Sequence, residues 1–214
     1  MDAYLEIGSI LEAWSARRGI GVAVEQILPE HGSPGSPLEF SAAELSLMES
    51  HRHPMRRASW VAGRLAARRA ARSWCQQRNE PIGAIQILRR ESGEPRLVER
   101  SDLHVSITHS GNLAVAVVGD HPLGVDLEQL ENRPDSLVRF FFSPSEQDWI
   151  RQIPSDSFLR CNLLWTRKEA VSKLLGKGGE LVFSRLPVLD EEPRWAIDSA
   201  STSSHAISLA MDRN

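Results

Sequence analysis

The sequence predicts an α+β fold, a pseudo-twofold tandem of two similar halves, each a long helix packed on a small, mostly antiparallel sheet. Two long segments have helical periodicity, at about 57–78 and 157–175, and each is followed by short apolar segments typical of strands. The segment "HAISLAM" near the end is similar to "NLAVAVV" in the middle, which indicates an internal repeat. We therefore place the two halves at 1–119 and 120–214.

The first half begins its sheet early and then becomes helical. Residues 20–28, "IGVAVEQIL", are predicted to form a strand, and "PEHGSPGSP" is a loop rich in Pro, Gly and Ser. Ser41 precedes Glu44 by three residues, which is the capping-box spacing of a helix start. The long helix at 57–78 has a predicted inward face of Trp60, Val61, Leu65, Ala71 and Trp74.

Strand patterns dominate from residue 82 until the helices return. The predicted strands are "IGAIQIL", the end of "SGEPRLV", "HVSITHS", "NLAVAVVGD" and "LGVDLEQL", with "GDHP" at 119–122 as a turn. Helices are predicted at about 136–142, 144–151 and 157–175. Three more strands, "ELVFSRLPVL", "RWAIDSA" and "HAISLAM", complete the second half.

The composition is that of a globular protein, with 41% hydrophobic residues, 25% charged residues and a net charge of −3 over 214 residues. No segment approaches the roughly 20 apolar residues that a membrane span needs. The first residues include acids where a signal peptide would carry Lys or Arg. Cys75 and Cys161 are the only cysteines, so we expect no disulfide framework, a reducing compartment and a cytoplasmic location.

Arginines are concentrated between residues 50 and 79, where no Asp or Glu occurs. The block contains Arg52, Arg56, Arg57, Arg64, Arg68, Arg69, Arg72 and Arg78. Helical spacing places Arg57, Arg64, Arg68 and Arg72 on one stripe. Such a block indicates an anionic partner, which is phosphate, nucleic acid or an acidic protein, or else a solvated helix face.

Acidic residues in the second half form a candidate cation site, or else a hydrated face. Asp126 and Glu128 point to the same face of a predicted apolar strand, where a hard cation or a hydrated face would relieve their repulsion. Glu169 and Lys173 have the i, i+4 spacing of a helical ion pair, which is worth about 0.3–0.5 kcal/mol. With Glu169 beside the other two, the carboxylates would make an oxygen set suited to Mg²⁺, and Lys173 would meet a phosphate.

The segment "SITHSGN" places Thr108, His109 and Ser110 at the end of a predicted strand, just before a Gly-Asn turn. Two hydroxyls and an imidazole at a turn suit phosphate contact. They also suit ordinary capping of the turn by side chains. The segment by itself leaves both interpretations open.

Taken together, these motifs resemble those of the surfactin-type 4′-phosphopantetheinyl transferases. The resemblance rests on "SITHSGN", then "GVDLE", then "WTRKEAVSK" and "GKG" in this order, and it covers roughly residues 40–185. "AGRLAARRA" at 62–70 resembles the arginine-bearing helix of the family's first half. Trp165 and Ala170 resemble the branch that often serves polyketide and nonribosomal peptide assembly lines.

The resemblance implies a monomer that binds coenzyme A in a cleft between its halves, with the first half on the nucleotide side. It implies transfer of 4′-phosphopantetheine from coenzyme A to a serine of an apo acyl or peptidyl carrier protein, with release of 3′,5′-ADP. The implied ligands of Mg²⁺ or Mn²⁺ are Asp126, Glu128 and Glu169, with Glu169 also the base for the serine. The implied contacts to coenzyme A are Arg57, Arg64, Thr108, His109 and Lys173, with Lys173 and His109 on the pyrophosphate.

The sequence departs from the family in one turn. The family usually has Gly-Lys-Pro or Gly-Arg-Pro before its central strands, with the basic residue beside the nucleotide. Here the turn is "SGEPRL", with Glu94 in that place, and Arg96 is the candidate to replace the missing cation.

Two other functions compete with a transferase. A nucleic-acid-binding protein would use the arginine-rich helix at 52–78, but this explains neither the carboxylates nor the "KEA" segment, and the block lacks interleaved aromatics suited to single strands. A transferase retained only as a binding module would have no need of all three carboxylates and Lys173. We therefore expect no nucleic-acid and no membrane partner.

Overall fold

The computed structural model describes residues 2–32, 40–81, 83–176, 182–189 and 194–213. The chain divides into two compact units, unit 1 at Met1–His121 and unit 2 at Pro122–Asn214. Each unit has one long helix packed on a three-stranded antiparallel sheet, which confirms the predicted α+β class. Within the described ranges, no helix is long and apolar enough to cross a membrane.

Unit 1 packs its long helix against a sheet of strand order β1-β5-β4. Its elements are α1 (Ala3–Arg18), β1 (Gly21–Gln26), α2 (Ala42–Glu49), α3 (Pro54–Gln77), β2 (Ile87–Arg89), β3 (Pro95–Leu97), β4 (His104–Ser110) and β5 (Leu113–Gly119). Strands β2 and β3 form a separate hairpin. Small residues on α3, such as Ala66 and Ala70, are fully buried and let the helix lie close to the sheet.

Unit 2 uses the sheet order β6-β8-β7, with its long helix against β6 and β8. Its elements are β6 (Leu123–Gln129), α4 (Asp135–Phe141), α5 (Pro144–Arg151), α6 (Ser157–Leu174), β7 (Trp195–Ser201) and β8 (His205–Asp212). The three predicted helices of this half agree with α4, α5 and α6 to within one residue at each end. Ser143 caps α5 through a capping box with Glu146.

The two units repeat the same contact between strand and helix. A Cβ atom added at Gly21 of β1 would lie 2.0 Å from the carbonyl oxygen of Ala70, and one added at Gly124 of β6 would lie 2.0 Å from that of Ala170. Only glycine permits these close approaches. Strands β5 and β8, which contain the two similar segments noted in the sequence, are the central strands of their sheets.

A buried ion pair also recurs in both units. In unit 1 Arg68 of α3 lies 2.8 Å from Glu44, the capping-box glutamate of α2. In unit 2 Lys168 of α6 lies 2.8 Å from Glu146, the capping-box glutamate of α5. Each pair therefore joins the long helix of its unit to the short helix that precedes it.

These ion pairs explain two wrong predictions of strand structure. In the predicted strand "IGAIQIL", the described residues 83–86 are not in a strand, and β2 begins at Ile87. Here Arg68 Nε donates to the Ile85 carbonyl oxygen (3.0 Å), and Glu44 accepts from the Ile87 N–H (3.1 Å). The predicted strand "ELVFSRLPVL" contains a 3₁₀ turn at Phe183–Arg185. Lys168 Nζ donates hydrogen bonds to the carbonyl oxygens of Phe183 and Leu186 in this segment. Residues 180–181 of that segment, and the glycine-rich residues 177–179, lie outside the described ranges.

The arginine stripe on α3 is not a single solvated face. Arg64 and Arg68 are buried, Arg57 is half-buried, and Arg72 is exposed. Of the predicted inward residues, Leu65 is only half-buried, whereas the other four are buried. The helix thus turns two of its cations toward the interior of unit 1.

Candidate functional site

The three candidate carboxylates of unit 2 include Asp126, which lies on β6 and is buried, with 4% of its surface exposed. Lys173 of α6 lies against it, with Nζ 2.7 Å from Asp126 Oδ1 and 3.1 Å from the Val125 carbonyl oxygen. The sequence predicted that Lys173 pairs with Glu169 along the helix. Instead the ammonium crosses to the strand, because a buried carboxylate is a stronger partner than a partly solvated one.

Glu128 and Glu169 complete the group. Burial raises the pKa of both carboxyls, and the charge of Asp126 raises each further, while Lys173 lowers both. The three carboxylates therefore repel one another in a partly desolvated environment. The positive charges of Lys173 and Arg133 only partly offset that repulsion, since the pKa of both glutamates stays raised, so these carboxylates are suited to an additional cation.

Trp165, the first residue of "WTRKEA", supports Glu128. A hydrogen bond from its side chain lowers the pKa of Glu128, against the effect of burial. The Arg133 guanidinium stacks on the Trp165 ring at 4.3 Å, and Phe141 packs on it edge-on at 5.2 Å. Sequence reasoning missed Arg133, whose charge also lowers the pKa of Glu128 and Glu169.

The donor set of these three side chains fits a divalent oxygen-loving cation in chemistry: carboxylates only, with mutual repulsion that a cation relieves. The present side-chain positions are not those of a coordination shell. Among the described residues, no group of three or more His, Cys, Asp or Glu side chains is arranged as a metal site. Lys173 Nζ instead supplies the positive charge at Asp126.

Unit 1 carries different residues at the positions equivalent to these carboxylates. Matching Gly21 with Gly124 and Ala70 with Ala170, the counterparts of the three carboxylates are Ala23, Glu25 and Arg69. Arg69 Nη1 lies 2.6 Å from Glu25 Oε1. Unit 1 therefore contains its own cation where unit 2 has a third carboxylate.

A second candidate site is a cationic pocket in unit 1, with a volume of about 490 Å³. Its wall includes His51, Arg56, Trp60, Arg64, Arg89 and His109. Two of the predicted coenzyme A contacts, Arg64 and His109, thus lie in the same pocket. No Asp or Glu is among the described residues that line it.

The other two predicted contacts of this unit lie elsewhere. Thr108 is buried on the face of β4 opposite His109, because neighbouring residues of a strand point to opposite faces. Arg57 Nη1 donates to the His51 carbonyl oxygen at 3.4 Å, and it is the adjacent Arg56 that lines the pocket. The roles of Thr108 and Arg57 remain predictions.

Sequence reasoning did not identify three basic residues as part of this pocket, His51, Arg56 and Arg89. A signal was available for Arg89, since it directly precedes the turn that lacks the family's basic residue. His51 and Arg56 flank the start of α3, and helical spacing places Arg56 on the same side as Ser59 and Trp60 of the pocket.

The chain is thus an α+β protein with carboxylates and a lysine close together in one unit and an arginine-lined pocket in the other. Two family models match consecutive parts of it. The model for the 4′-phosphopantetheinyl transferase N-terminal domain matches residues 44–119, and that for the 4′-phosphopantetheinyl transferase superfamily matches residues 122–207. The chain belongs to the 4′-phosphopantetheinyl transferase superfamily.

Individual relatives agree with this assignment. A 4′-phosphopantetheinyl transferase of Bacillus subtilis is 34% identical over 89 residues, which are 41% of this chain and 40% of the relative. The 4′-phosphopantetheinyl transferase gsp of Aneurinibacillus migulanus is 31% identical over 101 residues, 47% of this chain and 42% of the relative. The match thus spans about two fifths of the length of these relatives.

Among solved structures, the chain is similar to a holo-(acyl-carrier-protein) synthase from Bacillus anthracis in complex with coenzyme A. The two share 24% sequence identity, and the match covers 46% of this chain and 91% of that one, with a TM-score of 0.39.

Proposed function

We propose that this protein transfers the 4′-phosphopantetheine group of coenzyme A to a serine of an apo acyl or peptidyl carrier protein and releases 3′,5′-ADP. The proposal rests on one observation above all. Asp126, Glu128, Glu169 and Lys173 lie near one another on β6 and α6 of unit 2, within the residues that the 4′-phosphopantetheinyl transferase superfamily model matches.

Mg²⁺ is the proposed cofactor, held by Asp126, Glu128 and Glu169, and Mn²⁺ is a reasonable substitute because it accepts the same oxygen ligands. When bound, the metal would supply positive charge against the pyrophosphate of coenzyme A. The comparison with unit 1 supports this role. There a guanidinium balances Glu25, whereas in unit 2 the corresponding residue adds negative charge that needs a cation from solution.

The residues of the chain account for the remaining chemistry. Lys173 lies beside Asp126 and can neutralise a pyrophosphate oxygen. Glu169 takes the proton of the carrier serine, and its raised pKa makes it a better base than an exposed carboxylate. The serine oxygen forms a bond to the phosphorus next to pantetheine, the phosphoanhydride bond breaks, and 3′,5′-ADP leaves.

Intact mass spectrometry tests the proposal directly. The protein is incubated with coenzyme A, Mg²⁺ and a panel of apo acyl and peptidyl carrier proteins, and we expect a carrier to gain the mass of one phosphopantetheine. Excess chelator should stop the gain and added Mn²⁺ should restore it. The matched variants are Asp126→Asn, expected to be inactive, and Asp120→Asn, an exposed residue of the same chain segment, expected to be active. Full activity of Asp126→Asn would contradict the proposed metal site.

A further inference from the structure

Arg133 of unit 2 is a buried arginine whose hydrogen-bonding capacity is only partly used. Its side chain is 5% exposed, and its Nη1 group lies 3.1 Å from Glu131 Oε1. Among the described residues, nothing accepts a hydrogen bond from its Nε and Nη2 groups, which are also buried. Buried donors without an acceptor are costly in a folded protein, so this pair indicates a place for a ligand.

The two unpaired donors have a defined geometry. The Nε–H and one Nη2–H lie on the same edge of the planar guanidinium and point in parallel, which matches the two oxygens of a carboxylate. The guanidinium stacks on the Trp165 ring at 4.3 Å, and this contact holds its plane in place. Arg133 therefore presents a preformed edge for bidentate binding of an oxyanion.

Arg133 lines a pocket of unit 2 with a volume of about 260 Å³. The other charged residues that line it are Arg139, Arg151, Glu131 and Asp135. Among the described residues of the wall, positive charges therefore exceed negative charges by one. This balance suits a monoanion better than a phosphomonoester, which carries about −1.5 to −2 charges at neutral pH.

Apolar side chains form a second part of the wall. They belong to Val138, Ile150, Phe158 and Cys161, on α4, α5 and the first turns of α6. An apolar chain can pack against them while its charged end meets the arginines. The volume lies slightly below the roughly 300–1,000 Å³ of sites that hold drug-sized ligands, so the ligand is small.

We propose that this pocket binds a small carboxylic acid with a short apolar chain. The carboxylate accepts hydrogen bonds from Nε and Nη2 of Arg133, and the chain packs on Val138 and Phe158. This site goes beyond the proposed transfer reaction and does not depend on it, because its ligand is recognised by residues of the pocket alone.

Isothermal titration calorimetry with matched ligands tests the chemistry. Hexanoate should bind at least about tenfold more tightly than acetate, which has the charge without the chain, because each buried CH₂ adds affinity. It should also bind at least about tenfold more tightly than 1-hexanol, which has the chain without the charge. Equal binding of 1-hexanol would reduce the pocket to an apolar cavity, and equally tight binding of sulfate would make it a general anion site. Either result overturns the inference.

Two substitutions at Arg133 test the residue. Arg133→Met should weaken hexanoate binding by roughly ten- to hundredfold, the effect of losing charge-assisted hydrogen bonds. Arg133→Lys should retain only part of the affinity, because lysine keeps the charge but not the bidentate edge.

Arg160→Met is the matched control. Arg160 also stacks on a tryptophan, 4.4 Å from the Trp149 ring, but it does not line the pocket. This variant should bind hexanoate like wild type. Unchanged binding in Arg133→Met, or equal weakening in Arg133→Met and Arg160→Met, would overturn the inference.

Cys161 provides a measurement on the wild-type protein, which does not depend on the folding of any variant. Its thiol lines this pocket, whereas Cys75 lines a different cavity, in unit 1. Saturating hexanoate should slow the labelling of Cys161 by N-ethylmaleimide severalfold and leave the labelling of Cys75 unchanged, both measured by peptide mass spectrometry. Equal labelling of Cys161 with and without hexanoate would overturn the inference. Carrier modification, normal or absent, bears on the proposed function alone.

Discussion

Lys168 Nζ lies 2.8 Å from Glu146 Oε1, with both side chains almost completely buried. The same ammonium donates to the carbonyl oxygens of Phe183 and Leu186, each at 2.6 Å. Burial lowers the pKa of Lys168 and the partner carboxylate raises it. The lysine of the "KEA" segment is thus a structural residue that joins α5 and the 183–186 segment to α6, directly beside Glu169.

Removing this ammonium should destabilise the protein strongly. Lys168→Met leaves Glu146 as a buried carboxylate without its cation, and we expect the free energy of unfolding to fall by about 3–5 kcal/mol, measured by urea denaturation. Arg151→Met is the control, because its ion pair with Asp148 is exposed, and it should change stability by at most about 0.5 kcal/mol. Similar stability of the two variants would contradict the buried ion pair.

Gly124→Ala should separate the two elements that carry the carboxylates. A Cβ atom there would lie 2.0 Å from the Ala170 carbonyl oxygen and 2.6 Å from the Leu174 nitrogen, so α6 must move away from β6. Overpacking of this kind typically costs about 1–3 kcal/mol. Gly21→Ala, the matching change in unit 1, should cost a similar amount in urea denaturation. Only Gly124→Ala should lower the metal-stimulated rate per folded molecule, and equal rates would argue against the placement of the site.

Lys173 should compete with a divalent cation for Asp126. Lys173→Met removes the ammonium that lies 2.7 Å from Asp126 Oδ1, which leaves more negative charge for a metal. In the absence of coenzyme A, we expect Mn²⁺ to bind this variant severalfold more tightly than wild type by calorimetry, while carrier modification is lost. Weaker Mn²⁺ binding in Lys173→Met would mean that the lysine helps to hold the metal rather than replacing it.

Neutralising Glu169 should stabilise the metal-free protein at neutral pH. Its pKa in the folded state is raised above the ordinary value of 4.5, so its stabilising contribution is present below that pH and is lost as the pH rises through the folded value. In chelator, Glu169→Gln should therefore unfold at higher urea than wild type at pH 7.5, with the difference vanishing at pH 4. Glu49→Gln, at an exposed position, should show no such pH-dependent gain.

Local signals in the sequence were sufficient for most elements. The capping box of Ser41 and Glu44 marks the start of α2, and the bounds of α6 follow from its periodicity and the glycine after it. Alternation along β6 places Asp126 and Glu128 on one face, consistent with the mutual effect of their charges. These features depend on residues only two to four positions apart, which is why the sequence reveals them.

Contacts between residues far apart in the sequence could not be predicted from such local signals. Arg68 is buried because it pairs with Glu44, which lies 24 residues earlier in the chain. Arg68 also donates to the Ile85 carbonyl oxygen, and Glu44 accepts from the Ile87 N–H. Lys173 likewise forms its ion pair with Asp126, a residue distant in the sequence, and not with Glu169 on the same helix. No local pattern distinguishes an arginine or lysine with such a distant partner from one that faces solvent.

The presence of Arg69 in unit 1, at the position that Glu169 has in unit 2, separates what the two units share from what differs between them. The glycine against the helix and the buried ion pair occur in both units, whereas unit 1 has only Glu25 where unit 2 has three carboxylates. The shared contacts set the packing of each unit. The residues at the three other positions set its local charge, which is a balanced ion pair in unit 1 and a group of carboxylates in unit 2.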